Sequence, residues 1–380
     1  MLTPTSLLAD LVRLPSVNPM GRPDLPPHLL YESRVTDYLE ARLRSLNVPY
    51  TRSPVALGRD NITATYTPPH PTAHLLWEAH QDTVPVDGMT IDPFAATVRD
   101  GRLYGRGACD VKAGLAAMLA AFTRLVTEKP ARSAAVTVAF TVDEEHTFLG
   151  VQHLMRSGVR ADFAVVAEPT GLNLVTAHKG VARWRTETDG RACHSSRPQD
   201  GVSAVYRMAK VLTTIERYAD RLMRSTADPL LGPPTVSVGV VQGGVSPNTV
   251  PDRCRIEVDR RLLPGESAAA ALADFEAAVR AGPGVDFPVK STLTFACPPL
   301  APTAHPLLAR LGAAVDAVVG SHRVEAVPYG TDASTIAEAG VPAVVFGPGD
   351  IAQAHTHDEW VELAQVERAA DILVRFAVGA

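Results

Sequence analysis

Histidine and carboxylate side chains recur in this chain just after apolar runs. His80 and Asp82 sit two apart behind LLWEA, a spacing that puts both on one side of an extended backbone. His80 could bind a metal through one ring nitrogen while Asp82 accepts the N–H of the other, fixing tautomer and orientation. The plainer alternative is a surface histidine near a surface aspartate. Asp110, in GRGACDVKAG, directly precedes a predicted helix, where aspartate is a good N-cap; its two oxygens could equally bridge two cations. Asp143-Glu144-Glu145 closes the run AAVTVAFTV. Successive carboxylates repel and ordinarily mark a solvated loop, but at the end of a buried strand bound cations would offset that repulsion. Adjacent side chains diverge, so one glutamate can hold a metal while its neighbour faces a substrate and carries a proton. Glu168 ends FAVVAE, and His355 lies in GPGDIAQAHTHDEW behind another apolar run. Each residue has a bland explanation alone. Their shared location is the signal, because the carboxyl ends of strands line the ligand crevice of α/β sheets. Two histidines, three carboxylates and a spare glutamate suit a pair of zinc ions with room for water. Calcium and magnesium prefer shells of oxygen alone.

The elements that would carry these residues can be read from periodicity. Glu32–Leu46 repeats Val35, Leu39, Leu43 and Leu46 on one face, and Val111–Glu128 repeats Leu115, Met118, Leu119, Phe122 and Leu125, both as helices do. Extended apolar runs fall at Asn61–Tyr66, Ala73–Trp77, Ala134–Val142 and Phe163–Ala167. Strands alternating with helices imply an α/β fold, a three-layer catalytic domain around a mostly parallel mixed sheet. From about 178 the pattern changes to strand (Val181–Thr188), helix (Gly201–Met223), strand (Thr235–Val241), strand (Arg253–Arg260), helix (Ser267–Arg280) and strand (Val289–Thr294). That βαββαβ order is the ferredoxin-like α+β pattern. A helix at Leu307–Gly320 and a strand at Ala343–Phe346 then resume the first pattern. The expected domains are 1–177 and 292–380 for the catalytic part, with 178–291 inserted between.

Composition narrows the partners. The 380 residues are 46% hydrophobic with a formal charge of −5, which gives no basic surface for a phosphate backbone and argues against nucleic acid. No run reaches the roughly 18–20 apolar residues needed to span a bilayer. The start MLTPTSLLADLVRLPS sets Leu7, Leu8, Leu11 and Val12 at helical spacing without a basic leader. Cys109, Cys193, Cys254 and Cys297 are scattered with no Cys-x-x-Cys pair, which fits thiols in a reducing compartment, hence a cytoplasmic protein.

At these residues the chain resembles the acetylornithine deacetylase, succinyl-diaminopimelate desuccinylase, aminoacylase and glutamate carboxypeptidase family of two-metal hydrolases. The likeness runs from LVRLPSVNP to HTHDEWVEL through HQDTVP, GRGACDVKAG, VDEEHTFLG, AEPT, HSSRP, PNTVPDRC, VDRRLLPGE, GTDAS and AHTHDEW, in the family's order. It implies that Asp110 bridges two divalent ions, zinc or alternatively cobalt. His80 and Glu168 would hold one and Glu145 and His355 the other, with His357 the alternative to His355. It further implies Asp82 as orienter of His80, Glu144 as general base, and 178–291 as a lid that forms a homodimer contact. In that lid His194, Asn248 and Arg260 would meet the substrate. Val111 follows Asp110 where the family often has a second acid. The ending GPGDIAQAHTHDEW looks more like acetylornithine deacetylases than desuccinylases, so the expected substrate is N-acetyl-ornithine or a related N-acyl amino acid. A desuccinylase, an aminoacylase or a metallo-carboxypeptidase is the nearest alternative, and an inactive binding or scaffold relative the alternative of another class.

Overall fold

In the computed structural model, which describes residues 3–379, the apolar runs become strands of an eight-stranded mixed sheet. Its order is Tyr50–Ala56, Arg59–Tyr66, Arg132–Thr141, His70–His80, Phe163–Val166, Ala343–Val345, Leu174–His178, Val324–Val327. His70–His80 runs parallel to both Arg132–Thr141 and Phe163–Val166, and Ala343–Val345 runs parallel to Phe163–Val166. These central strands are buried without alternation, as strands covered on both faces must be. Two helix groups account for that cover. Pro4–Val12, Lys112–Glu128, Pro306–Val319 and Leu363–Gly379 pack together, while Leu149–Arg156 packs with Asp332–Glu338. One apolar core includes Leu8, Leu11, Phe122, Phe140, Phe163 and Phe376.

Parallel pairing matters here because it brings strand ends to one edge. His80 pairs with Thr141, and Glu78 pairs with Val166. The residues that leave the sheet next, Gln81–Asp82, Val142–Glu145 and Ala167–Glu168, therefore emerge side by side. The exit of the second is fixed by Gly150, whose N–H donates to the Val142 carbonyl at 3.0 Å. A Cβ on Gly150 would meet the Val142 oxygen at 2.2 Å and nitrogen at 2.4 Å. Asn61 completes the junction, donating to the Gly150 carbonyl at 2.8 Å and accepting the Val142 N–H at 3.2 Å.

The chain divides into two compact units. The first holds everything up to Thr176, Pro302–Glu325, and the chain from Thr331 onward; the second holds Ala177–Ala301 and Ala326–Gly330. In the second, Thr235–Gly243, Arg253–Leu262, Gly180–Asp189 and Val289–Cys297 form an antiparallel sheet in that order. Ala204–Met223 and Ala268–Arg280 pack on it around Trp184, Ile256, Tyr218 and Phe275. Each helix is capped by a serine, Ser203 accepting from the Tyr206 N–H and Ser267 from the Ala270 N–H. The expected boundary at 291 falls inside Val289–Cys297. Pairing with Gly180–Asp189 continues to Cys297 opposite Val181, so the unit runs to Ala301.

Candidate metal centre

All the residues expected to hold metal lie in the first unit. Asp110 is their common neighbour. Its Oδ1 lies 3.2 Å from His80 Nε2, and its Oδ2 lies 3.3 Å from His355 Nε2. His355 Nε2 is also 3.3 Å from Glu145 Oε1. Two donor groups, His80–Asp110–Glu145 and His80–Glu144–Glu168, have ligand atoms within 4.8 Å of one another. Asp110 does not cap the following helix: Val111 occupies the cap position of Lys112–Glu128 and no side chain caps it. Both Asp110 oxygens are thereby turned to the histidines. The Asp110–Val111 peptide is cis.

Asp82 supports the cluster more broadly than the i, i+2 spacing suggests. Its main-chain carbonyl lies 3.0 Å from His80 Nδ1, nearer than its carboxylate at 3.5 Å. The carboxylate instead accepts the N–H groups of Glu144 and Glu145, each at 3.2 Å, and Asn18 Nδ2 at 2.8 Å. Asp143, first of the three successive acids, turns away to Arg59 at 2.5 Å and Asn18 at 2.9 Å. The triplet is thus split, one acid neutralised by a buried arginine and two given to the site. His357 also turns elsewhere, with Nδ1 2.6 Å from the Gly88 carbonyl, so His355 is the histidine of this segment that joins the cluster.

The electrostatics ask for positive charge. Burial pushes the Glu144, Glu145 and Glu168 carboxyls up, and neighbouring carboxylates add to the rise against the pull of the histidines. Burial would raise Asp110 too, yet hydrogen bonds from His355 and His80 hold it well below the usual carboxylate range. The histidines shift the opposite way. Burial disfavours their charge, but hydrogen bonds to Asp110 and its neighbours raise His80 well above its ordinary value and His355 to about 11. The acids thus favour positive charge at the imidazoles. Divalent cations would take over that role and leave neutral ring nitrogens free to donate. The donor set of imidazole and carboxylate suits transition metals.

The remaining expected residues lie in the second unit. His194 is exposed, its Nδ1 2.8 Å from Ser196 Oγ, and its backbone bridges Thr249. Asn248 lies beside it, its carbonyl accepting the Ser195 N–H at 3.0 Å. Arg260 is 2% exposed and its Nη2 donates to Glu266 at 2.7 Å, so this guanidinium already has a carboxylate.

Three acids escaped the sequence reading. Glu78 and Asp332 are buried, both within reach of Thr141 Oγ1, at 2.5 Å and 3.3 Å. Burial pushes Glu78 up to about 7 and Asp332 well above its ordinary value. Glu359 accepts main-chain N–H groups of the loop that ends in Asp110. An acid inside the apolar run LLWEAH was a signal for Glu78, while Asp332 and Glu359 stood in the segments GTDAS and AHTHDEW without an assigned role.

An α/β sheet with imidazoles and carboxylates gathered at its carboxyl edge is an arrangement that could hold metal ions. The chain belongs to peptidase family M20/M25/M40, which it matches over residues 76–378. It is 35% identical to an acetylornithine deacetylase of Myxococcus xanthus over 80% of this chain and 79% of that one. Its fold resembles an M20 metallo-carboxypeptidase of Sulfolobus solfataricus, with TM-score 0.79 at 18% identity, covering 100% of this chain and 99% of that one. It also resembles a dinuclear metal-binding M20 peptidase of Bacillus subtilis, with TM-score 0.73 at 16% identity, covering 99% and 96%. This chain is a metal-dependent hydrolase of amide bonds.

Proposed function

We propose that the chain removes the acyl group from an N-acyl amino acid, N-acetyl-ornithine foremost, using two zinc ions. The observation that carries the reading is Asp110, a buried carboxylate with a different imidazole against each oxygen, at 3.2 Å and 3.3 Å. His80, Glu168 and Asp110 would hold one ion, and Asp110, Glu145 and His355 the other. When bound, such ions supply a Lewis acid for the amide carbonyl and make water acidic enough to attack at neutral pH. Glu144 takes the proton of the attacking water on a carboxylate oxygen and returns it to the nitrogen of the leaving amine as the C–N bond breaks. Asp82 keeps the His80 ring in orientation through its carbonyl and ties the backbone of Glu144 and Glu145 to the same point.

In the second unit His194 would donate to the substrate carbonyl oxygen, with Asn248 beside it. Arg260 would exchange Glu266 for the substrate carboxylate, a match that guanidinium groups favour. A homodimer through this unit is supported by the sheet-edge strand Thr235–Gly243, which exposes Val240 and Val241 near the exposed Val245; such an edge invites strand pairing. A cytoplasmic location is supported by the thiols of Cys109, Cys193 and Cys254, which stand outside any disulfide. No helix among the described residues is long and apolar enough to cross a membrane.

A substrate panel tests the reading. Zinc-loaded protein is offered N-acetyl-ornithine, N-succinyl-diaminopimelate, N-acetyl-methionine and a dipeptide. The highest kcat/KM is expected for N-acetyl-ornithine. A preference for the succinyl compound or the dipeptide would move the chain to another branch of the family, and no hydrolysis of any of them would overturn the reading.

A further inference from the structure

The ligand assignment leaves Glu359 unexplained. Its side chain is completely buried, and a carboxylate removed from water needs its lone pairs filled. Four donors fill them. Oε2 accepts from Arg106 Nη1 at 2.7 Å and the Gly107 N–H at 2.9 Å; Oε1 accepts from the N–H groups of Cys109 at 2.8 Å and Asp110 at 2.9 Å. Every donor comes from the short stretch that ends at Asp110. The main chain joins in, since the Gly105 N–H donates to the Glu359 carbonyl at 2.9 Å and Tyr104 pairs with Trp360. Gly107 can present its N–H here because it adopts φ +80, where a Cβ would meet Thr83 Cγ2 at 2.7 Å.

Glu359 also closes the segment that begins at His355. Between them the His357 carbonyl accepts the Thr90 N–H at 2.9 Å, which pins the middle of that segment. One carboxylate thus joins two stretches remote in sequence, each of which supplies a residue to the same side of the cluster. The supports on the other side are different: His80 ends the strand His70–His80, and Glu168 follows the strand Phe163–Val166.

We propose that Glu359 is a positioning residue that sets Asp110 against His355. Asp110 serves both ions, but Glu359 also anchors the segment that carries His355, so it governs the ion held by Asp110, Glu145 and His355 more than the ion held by His80, Glu168 and Asp110. This rests on the two-cation reading above. Glutamine would preserve the shape, but its amide has a single acceptor oxygen and turns two N–H donors toward donors.

The test is a cobalt(II) titration of metal-free wild type and Glu359→Gln, followed by visible absorption, with bound metal counted by atomic emission. Wild type should bind two ions. In Glu359→Gln one step should weaken by about 10- to 100-fold, the range for lost outer-shell partners, while the other stays within about threefold. His355→Ala should weaken that same step. Equal weakening of both steps, no weakening, or weakening of the step that His355→Ala spares would overturn the inference. If Glu359→Gln does not fold, Arg106→Gln replaces it under the same criteria, with a selective loss of about threefold or more expected. Wild type that binds fewer than two ions sinks the two-cation reading and this inference together. Wild type that binds two, with an unaltered Glu359→Gln, sinks the inference alone.

Discussion

Asp110 presents one oxygen to His80 and the other to His355, while Glu144 Oε2 stands 4.0 Å from His80 Nε2. Glu144 and Glu145 leave the same strand, and in the proposed mechanism Glu145 holds an ion while Glu144 moves protons. Glu144→Gln should keep two bound metal ions and lose at least about 100-fold in kcat, the contribution of a general base; metal analysis beside steady-state kinetics checks both halves. A separate titration concerns His178. Burial lowers its pKa from 6.5 to about 4, so the folded state favours the neutral ring. The sign follows from linkage: this contribution is whole above the unfolded value near 6.5 and is lost as pH falls from there toward about 4. About 2 kcal/mol should disappear between pH 8 and pH 5 on this account. Urea unfolding at both pH values should show a flatter pH dependence in His178→Asn than in wild type.

Strand ends are what bring these side chains together, and their exits depend on close packing. Gly150 leaves no room for a methyl group against Val142, the last apolar residue before the acidic triplet. Gly150→Ala should cost about 2 kcal/mol or more in urea unfolding and weaken metal binding by displacing Glu144 and Glu145. An unchanged midpoint would show that the junction is looser than its geometry. Much of this level could be read in advance. The run Ala134–Val142 and the helix pattern from Val111 to Glu128 became Arg132–Thr141 and Lys112–Glu128, because period and burial agree there. Even the three-residue strand Ala343–Val345 was legible, as the apolar run Ala343–Phe346. Trp360–Glu362 was not, because it exists through its pairing with Arg102–Tyr104. The histidines and carboxylates that gather at the strand ends were legible because metal chemistry restricts donor types. The supports were not, since the four donors to Glu359 and the turn of Asp143 toward Arg59 are tertiary facts with no local pattern.

The molecule as a whole combines a sheet that gathers donors at one edge with an antiparallel unit carrying His194, Asn248 and Arg260. The change to a βαββαβ order of elements announced the second unit. Its end was harder to see, because Val289–Cys297 is a half-exposed strand whose polar alternation gives no signal where pairing stops. The edge strand Thr235–Gly243 is the surface on which a second copy would add. Val241→Lys should shift a dimer to monomer in sedimentation equilibrium, since a lysine on a strand edge disfavours pairing; a species of unchanged mass would remove this strand from the interface.

Five ligands from distant stretches must share two ions if this account holds. Anomalous diffraction at the zinc absorption edge from zinc-loaded crystals tests that directly. Two peaks are expected, one beside His80 and Glu168 and one beside Glu145 and His355, with Asp110 between them. One peak, or none within reach of Asp110, would contradict it.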